Sequence, residues 1–264
     1  VLEAIIKALT NAGHEVVHDL VPGIDVLFCF DPRTGSVPGL VGYGEIHQYS
    51  RDAANLKGYE RPRIIQRVGD VGSHGKPDLT KLVMASAFHS DTVVFPSLWA
   101  HDFIQHSLHV LDKRVVNQWH IIPNAPVSEF YKHRSGAENI PTTGISFVTH
   151  HWSNNPLKGF SFYRHLEEHA KKKGDSFTFI GRQPDDGPLG DSDKGTMLEH
   201  QLAQELPKHD IYVTASLAEA GANHVLEAIA AGLPVVYHQG GGSINEYCAN
   251  FGASFDGSIE TFEK

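Results

Sequence analysis

Glu219 stands in a loop of small residues, Ala218 to Asn223, and Glu227 follows inside an apolar run that ends at Gly232 and Pro234. Carboxylates in such surroundings need strong hydrogen-bond donors, and the hydroxyls of a polyol supply them without a counter-charge. Asn223 reads as the cap of a helix in which Val225, Ala228 and Ile229 face inward and which Gly232 terminates. At its start, the open amides of Gly221, Ala222 and Asn223 and the aligned peptide dipoles favour an anion such as a diphosphate. A loop acid, a helix start and a second acid within the helix together suit a ligand that is part sugar and part phosphate. The plainer alternative is a surface acid beside a structural acid satisfied by protein.

Other residues are placed to join that chemistry. His150-His151-Trp152 closes a strand pattern, and open α/β sheets hold ligands at the carboxyl ends of their strands. Lys158 reads as a cation at a helix start, an unfavourable position unless an anion is bound there. Gly240-Gly241-Gly242-Ser243, with Glu246 after it, is either a loop that lets backbone approach a ligand or a plain tight turn. Arg67-Val68-Gly69-Asp70-Val71-Gly72-Ser73-His74 is a polar, glycine-rich loop after a strand, offering Arg67, Asp70 and His74 to an acceptor or serving structure alone. Among the 18 histidines, His106 and His109 would share a helix face, but no acid completes a ligand set, so no metal is expected. The dinucleotide fingerprint and the P-loop pattern are both missing from the sequence.

The composition narrows the field. A chain of 264 residues has room for two ordinary α/β domains, and 41% hydrophobic content suits a soluble core. A net charge of −9 gives no general footprint for nucleic acid, so an anion site must be local. The two cysteines, Cys29 and Cys248, have no partners at zinc-ligand spacing. No apolar run approaches the ~20 residues that span a bilayer, and no signal peptide opens the sequence. A cytoplasmic protein is expected, with peripheral contact to a membrane left open.

Helix and strand patterns alternate along the chain as parallel sheets with helical cover require. A helix over Leu2 to Asn11 is followed by strands at Glu15 to His18, Asp25 to Phe30, Arg63 to Gln66, Thr92 to Phe95 and His120 to Ile122. Helices fit Asp78 to Phe88 and, capped by Ser97, Leu98 to Leu108. The aperiodic stretch from Tyr131 to Thr143 reads as a linker. Beyond it come strand Ile145 to Val148, helix Phe160 to Lys172, strand Phe177 to Ile180, helix Thr196 to Leu206 and strand Ile211 to Thr214. The unit bearing the two acids closes the series. Two doubly wound Rossmann-like domains, residues 1–136 and 137–264, are the economical reading, with a cleft between them.

The two acids resemble the E-x7-E signature of retaining GT-B glycosyltransferases, family 4 in particular. Ile121-Ile122-Pro123-Asn124-Ala125-Pro126 is similar to the I-P-N-G segment that closes the first domain there. Phe147-Val148-Thr149-His150 with Leu157-Lys158-Gly159-Phe160 is similar to the F-V-G-R and K-G strand-loop-helix, and Phe179-Ile180-Gly181-Arg182 to the next strand and its glycine turn. The likeness covers most of residues 91 to 256. It implies that Glu219 contacts the transferred hexose, that Glu227 holds the ribose, and that Lys158 binds the diphosphate. His150 stands where the family has arginine, which leaves one permanent cation unless His150 is protonated or Arg182 reaches the site. By the same likeness Gly181 and Arg182 belong with the donor-binding residues.

The expected activity is therefore transfer of a hexose from a nucleotide-diphosphate sugar to a carbohydrate or lipid-linked acceptor, with retention and without metal or other cofactor. The family begins with a strand before its first helix and ends with helices that cross back, so this sequence is expected to lack both. A non-catalytic two-lobed sugar binder and a sugar-nucleotide epimerase are the competing readings.

Overall fold

The computed structural model of the chain describes residues 2–35, 39–55, 60–111, 118–133, 140–185, 189–250 and 252–264. It divides into two compact units, Val1–Asn124 and Ala125–Lys264. The expected boundary between residues 136 and 137 lies outside the described residues.

In the first unit, helix α1 (Leu2–Asn11) precedes strand β1 (Val26–Cys29), helix α2 (Tyr43–Ala54), strand β2 (Arg63–Arg67), helix α3 (Pro77–His89), strand β3 (Thr92–Phe95), helix α4 (Leu98–His109) and strand β4 (Trp119–Ile121). The four strands are parallel in the order β1-β2-β3-β4. Proline at the first position opens α3, and the Ser97 hydroxyl accepts from the Ala100 amide at 3.0 Å to cap α4. The expected strand at Glu15 to His18 is absent. Those residues are coil, and three of the four are exposed, so the Val16-Val17 pair finds no sheet to join. A small core of Leu27, Cys29, Ile46 and Ile64 ties α2 to β1 and β2.

In the second unit, the short helix α5 (Glu129–Lys132) leads to strand β5 (Ser146–His151), helix α6 (Phe160–Lys173), strand β6 (Ser176–Gly181), helix α7 (Glu199–Glu205), strand β7 (Ile211–Thr214), helix α8 (Asn223–Ala230), strand β8 (Val235–His238), helix α9 (Ser243–Cys248), strand β9 (Gly252–Phe255) and helix α10 (Ile259–Phe262). Five parallel strands run in the order β6-β5-β7-β8-β9. The chain winds outward from β5 to β6, then crosses back to β7, so the direction of winding reverses between β5 and β7. That is where a doubly wound sheet opens a crevice at its carboxyl edge.

Alternation along these strands covers both faces of the second sheet. Val148, Ile180, Tyr212 and Val235 pack beneath α7, α8 and α9, whereas Phe147, Phe177, Phe179 and Val213 pack beneath α6 and α10. Phe130 of α5, almost fully buried, belongs to the first of these clusters. This is why the residues just after Asn124 go with the second unit.

Candidate active site

The site grows from the carboxyl ends of β5 and β7. After β5 the chain makes a single 3-10 turn, Pro156–Lys158, closed by the Asn155 side chain accepting from the Leu157 amide at 2.9 Å. Gly159 follows at φ +90°, and a Cβ there would lie 2.4 Å from that of Ala215, so only glycine lets this turn sit against the end of β7. The Leu217 amide donates to the Leu157 carbonyl at 2.8 Å and locks the two loops together. Lys158 is delivered against Glu219 in this way, Nζ 2.5 Å from Oε1, with each side chain about nine-tenths covered.

Glu219 is held by its backbone. Ala218, the one non-glycine residue with positive φ among the described residues, is turned to +52°. Its amide donates to Gly240 O at 2.9 Å, that of Glu219 to Gly241 O at 3.1 Å, and that of Ser243 to Glu219 O at 2.9 Å. Strain at a residue that presents an acid is typical of functional loops held by their surroundings. The triple glycine thus lies against the loop carrying Glu219. At Gly242, φ +70° and ψ −122° is a conformation glycine adopts readily.

Asn223 is the first residue of α8 and Ala222 its cap, without a side-chain capping bond, which corrects the expected Asn223 cap. The amides at this helix start are also less open than expected. The Ala222 amide donates to Ser243 Oγ at 3.2 Å and the Asn223 amide to Gly221 O at 2.9 Å, because the glycine loop approaches from one side and the chain folds tightly before α8. Any anion taken up here relies more on side-chain charge than the open helix start implied. One turn into α8, Glu227 meets His150, Oε2 to Nε2 at 2.8 Å.

His150 is 2% exposed and lies edge-on to Tyr212. The Tyr212 hydroxyl sits between the backbone amide and carbonyl of His150, at 3.2 and 3.3 Å, and burial raises its pKa well above the ordinary value. His151 Nε2 is 2.7 Å from the hydroxyl of Tyr163, a phenol that also accepts from the Ala215 amide at 3.0 Å. Burial pushes the Tyr163 phenol up to about 12, so it stays protonated at neutral pH. His224, second in α8, stacks edge-on to His151 with centroids 4.8 Å apart, and its Nε2 lies 3.2 Å from Thr214 Oγ1. Tyr163, Tyr212 and His224 are not legible as site residues in the sequence, although the loop ending in Ser243 is. The tyrosines look like core positions of a helix and a strand, and no local spacing marks Ser243 as the partner of Ala222.

Gly181 ends β6 at φ +133°, where a Cβ would lie 1.9 Å from the His151 carbonyl oxygen. Arg182 donates its amide to that same oxygen at 3.0 Å, while its side chain is exposed. His150, His151, Trp152, Ile180, Gly181 and Met197 are among the residues that line a small crevice at the carboxyl ends of β5 and β6. Met197 is brought there by the segment after β6, which pairs along that strand and is anchored by Glu167 accepting from Gly190, Ser192 and the Ser192 hydroxyl.

The loop after β2 belongs to the first unit. Arg67 lies with its guanidinium 5.0 Å from the Phe30 ring centroid and donates to Asn124 Oδ1 at 2.5 Å. Asp70 accepts from the Gly72 amide at 2.8 Å and pairs with Lys76 at 2.8 Å. Burial raises the Asp70 carboxyl, but the hydrogen bonds and charge of Lys76 outweigh it, so it lies below the usual carboxylate range. These contacts hold the turn from Asp70 to Lys76. His74 is partly buried in the same loop. Among the described residues, no group of three or more His, Cys, Asp or Glu is arranged to hold a metal ion. No described helix is long and apolar enough to cross a membrane.

No protein-family model and no curated protein sequence matches the chain. Solved structures do match in fold. Sucrose-phosphate synthase from Thermosynechococcus elongatus aligns with a TM-score of 0.57 and 12% identity over 90% of this chain and 77% of its own. TarM aligns with a TM-score of 0.57 and 14% identity over 89% of this chain and 45% of its own. The trehalose-6-phosphate protein of E. coli, bound with UDP-2-fluoro glucose, aligns with a TM-score of 0.57 and 14% identity over 90% of this chain and 64% of its own. The chain thus spans less than half of TarM. The class this defines is an α/β protein of two Rossmann-like parallel sheets, and the solved structures that share its fold are GT-B glycosyltransferases.

Proposed function

We propose that the chain is a nucleotide-sugar-dependent glycosyltransferase that moves a hexose to a carbohydrate or lipid-linked acceptor with retention and without metal. One observation carries the reading: four of the nine residues expected to hold a donor pair with each other around the β5/β7 reversal, Lys158 with Glu219 and His150 with Glu227. The solved relatives add general support, one of them holding a UDP-sugar analogue.

In this reading, Glu227 accepts from the ribose hydroxyls and Glu219 from hydroxyls of the hexose. Lys158 turns to the diphosphate and stabilises it as charge builds on the leaving group, while the anomeric carbon gains oxocarbenium character. His150, in the place of the family's arginine, adds a shorter donor beside that charge. Arg67, Asp70 and His74 are assigned to the acceptor side through the first unit's loop. The protein is placed in the cytoplasm, with peripheral membrane contact open to a lipid-linked acceptor.

The test is a calorimetric screen of UDP, GDP, dTDP and ADP in the presence of EDTA, followed by donor hydrolysis and transfer assays with the sugar nucleotide of whichever base binds. Binding with turnover supports the enzyme. Binding of free sugars with no nucleotide affinity selects the two-lobed binder instead, and interconversion of the sugar without its release selects the epimerase.

A further inference from the structure

Resting on the donor-site reading, we infer that the Lys158–Glu219 pair couples the sugar and diphosphate halves of the site, so that a ligand offering only one half is disfavoured. Both groups are largely covered, and at 2.5 Å each serves as the other's charge partner. A ligand that presents only an anion must draw the Lys158 ammonium away, which leaves the Glu219 carboxylate covered and without its cation. A ligand that presents only hydroxyls competes with Lys158 for the Glu219 carboxylate and offers the ammonium no anion in return. Breaking one side of a covered ion pair costs more than the pair itself contributes, because the orphaned charge has neither water nor a partner. A sugar nucleotide compensates both groups at once. The pair therefore acts as a coupling free energy between two adjacent subsites.

The backbone that carries each group is held in place. Glu219 is fixed by the backbone bonds to Gly241 and Ser243, and Lys158 by a turn tied to Leu217 and pressed on Ala215. Relaxation by backbone movement is thus restricted, and the cost falls on the side chains.

The consequence is counter-intuitive for an acid expected to touch only sugar: removing its charge tightens binding of a ligand that has no sugar. Inorganic pyrophosphate, the four nucleoside diphosphates and the sugar nucleotide of the base that binds are titrated calorimetrically into wild type, Glu219→Gln, Lys158→Met and the double variant. Glu219→Gln is expected to bind pyrophosphate and the nucleoside diphosphate about ten-fold more tightly than wild type. It gains less or loses affinity for the sugar nucleotide. In the Lys158→Met background, Glu219→Gln is expected to leave nucleoside diphosphate affinity unchanged. Thermal melts establish that each variant is folded, and Glu219→Ala takes the place of Glu219→Gln if the latter is not. Equal or weaker nucleoside diphosphate binding by the folded Glu219 variant overturns the coupling while leaving the donor site standing. If no nucleoside diphosphate binds wild type or variant, the donor-site reading falls and the coupling with it.

Discussion

His150 Nε2 lies 2.8 Å from Glu227 Oε2, joining the end of β5 to the second turn of α8. The imidazole is nearly sealed from solvent, and its Nδ1 has no hydrogen-bond partner among the described residues. The pairing accounts for a carboxylate tolerated on an otherwise apolar helix: Val225 and Ala228 are buried beside it, and His150 supplies the donor that such a carboxylate needs.

The first prediction follows from that pair. Glu227→Gln keeps the side chain's shape but weakens its acceptance from both His150 and ribose, so nucleoside diphosphate affinity is expected to fall by about 1 to 2 kcal/mol. Isothermal titration measures it. An unchanged dissociation constant would remove Glu227 from the nucleotide site.

Lys158→Ala is expected to weaken nucleoside diphosphate binding by about 1 to 3 kcal/mol, the size of a charge-assisted contact. The loss should shrink as salt is raised, and EDTA should not alter it. Binding that appears only when magnesium is added would contradict the metal-free part of the proposal.

β3, β7 and β8 have the bounds that their apolar, β-branched-rich runs led one to expect, and so do α1 and the Ser97 cap of α4. In the second unit both faces of the sheet are covered, so each strand residue has one of two cores to enter. The hydrophobic pattern is then unambiguous. In contrast, β9 (Gly252–Phe255) is glycine- and serine-bearing and largely exposed, and it forms through ladder bonds to β8 that no composition announces. α2 escaped notice because its apolar side is carried mainly by Ile46 and tyrosines. At the site, residue types were legible while their partners were not. Nothing local links Lys158 to Glu219, or Ser243 to Ala222, since these contacts arise from the crossing of β5, β7 and the loop after β8.

Away from the site, a carboxylate sets an acid limit on stability. Burial raises the Glu205 carboxyl, but hydrogen bonds and charge from Lys194 and Lys208 outweigh it and bring it down to about 2. A carboxyl depressed in the folded state contributes stability that is present above its unfolded value near 4.5 and is lost as pH falls toward 2. Urea midpoints between pH 5 and 2.5 should therefore fall more steeply for wild type than for Glu205→Gln. Both lysines are substantially exposed, so high salt should narrow the difference. Parallel pH curves for the two proteins would show that Glu205 is not the group responsible.

The last prediction sets two glycines of the same sign of φ against each other. Gly174 ends α6 at φ +79°, and a Cβ there would meet nothing within 4 Å. Alanine at that position bears only the intrinsic cost of the left-handed region, about 1 kcal/mol. Gly181 sits at φ +133°, and the added Cβ would fall 1.9 Å from the His151 carbonyl oxygen, an atom fixed in β5 and already accepting from the Arg182 amide. Neither strand end can yield freely, because the Gly181 amide is also bonded to Gly195 O at 2.8 Å. Gly181→Ala is therefore expected to cost about 2 to 4 kcal/mol in urea denaturation, or to displace β6 from β5 at their carboxyl ends. Such a displacement moves His150 and the crevice it lines, so nucleoside diphosphate affinity should drop in Gly181→Ala and hold in Gly174→Ala. Equal losses of stability in the two variants, with nucleotide binding intact in both, would show that the approach of His151 to Gly181 constrains neither the sheet nor the site.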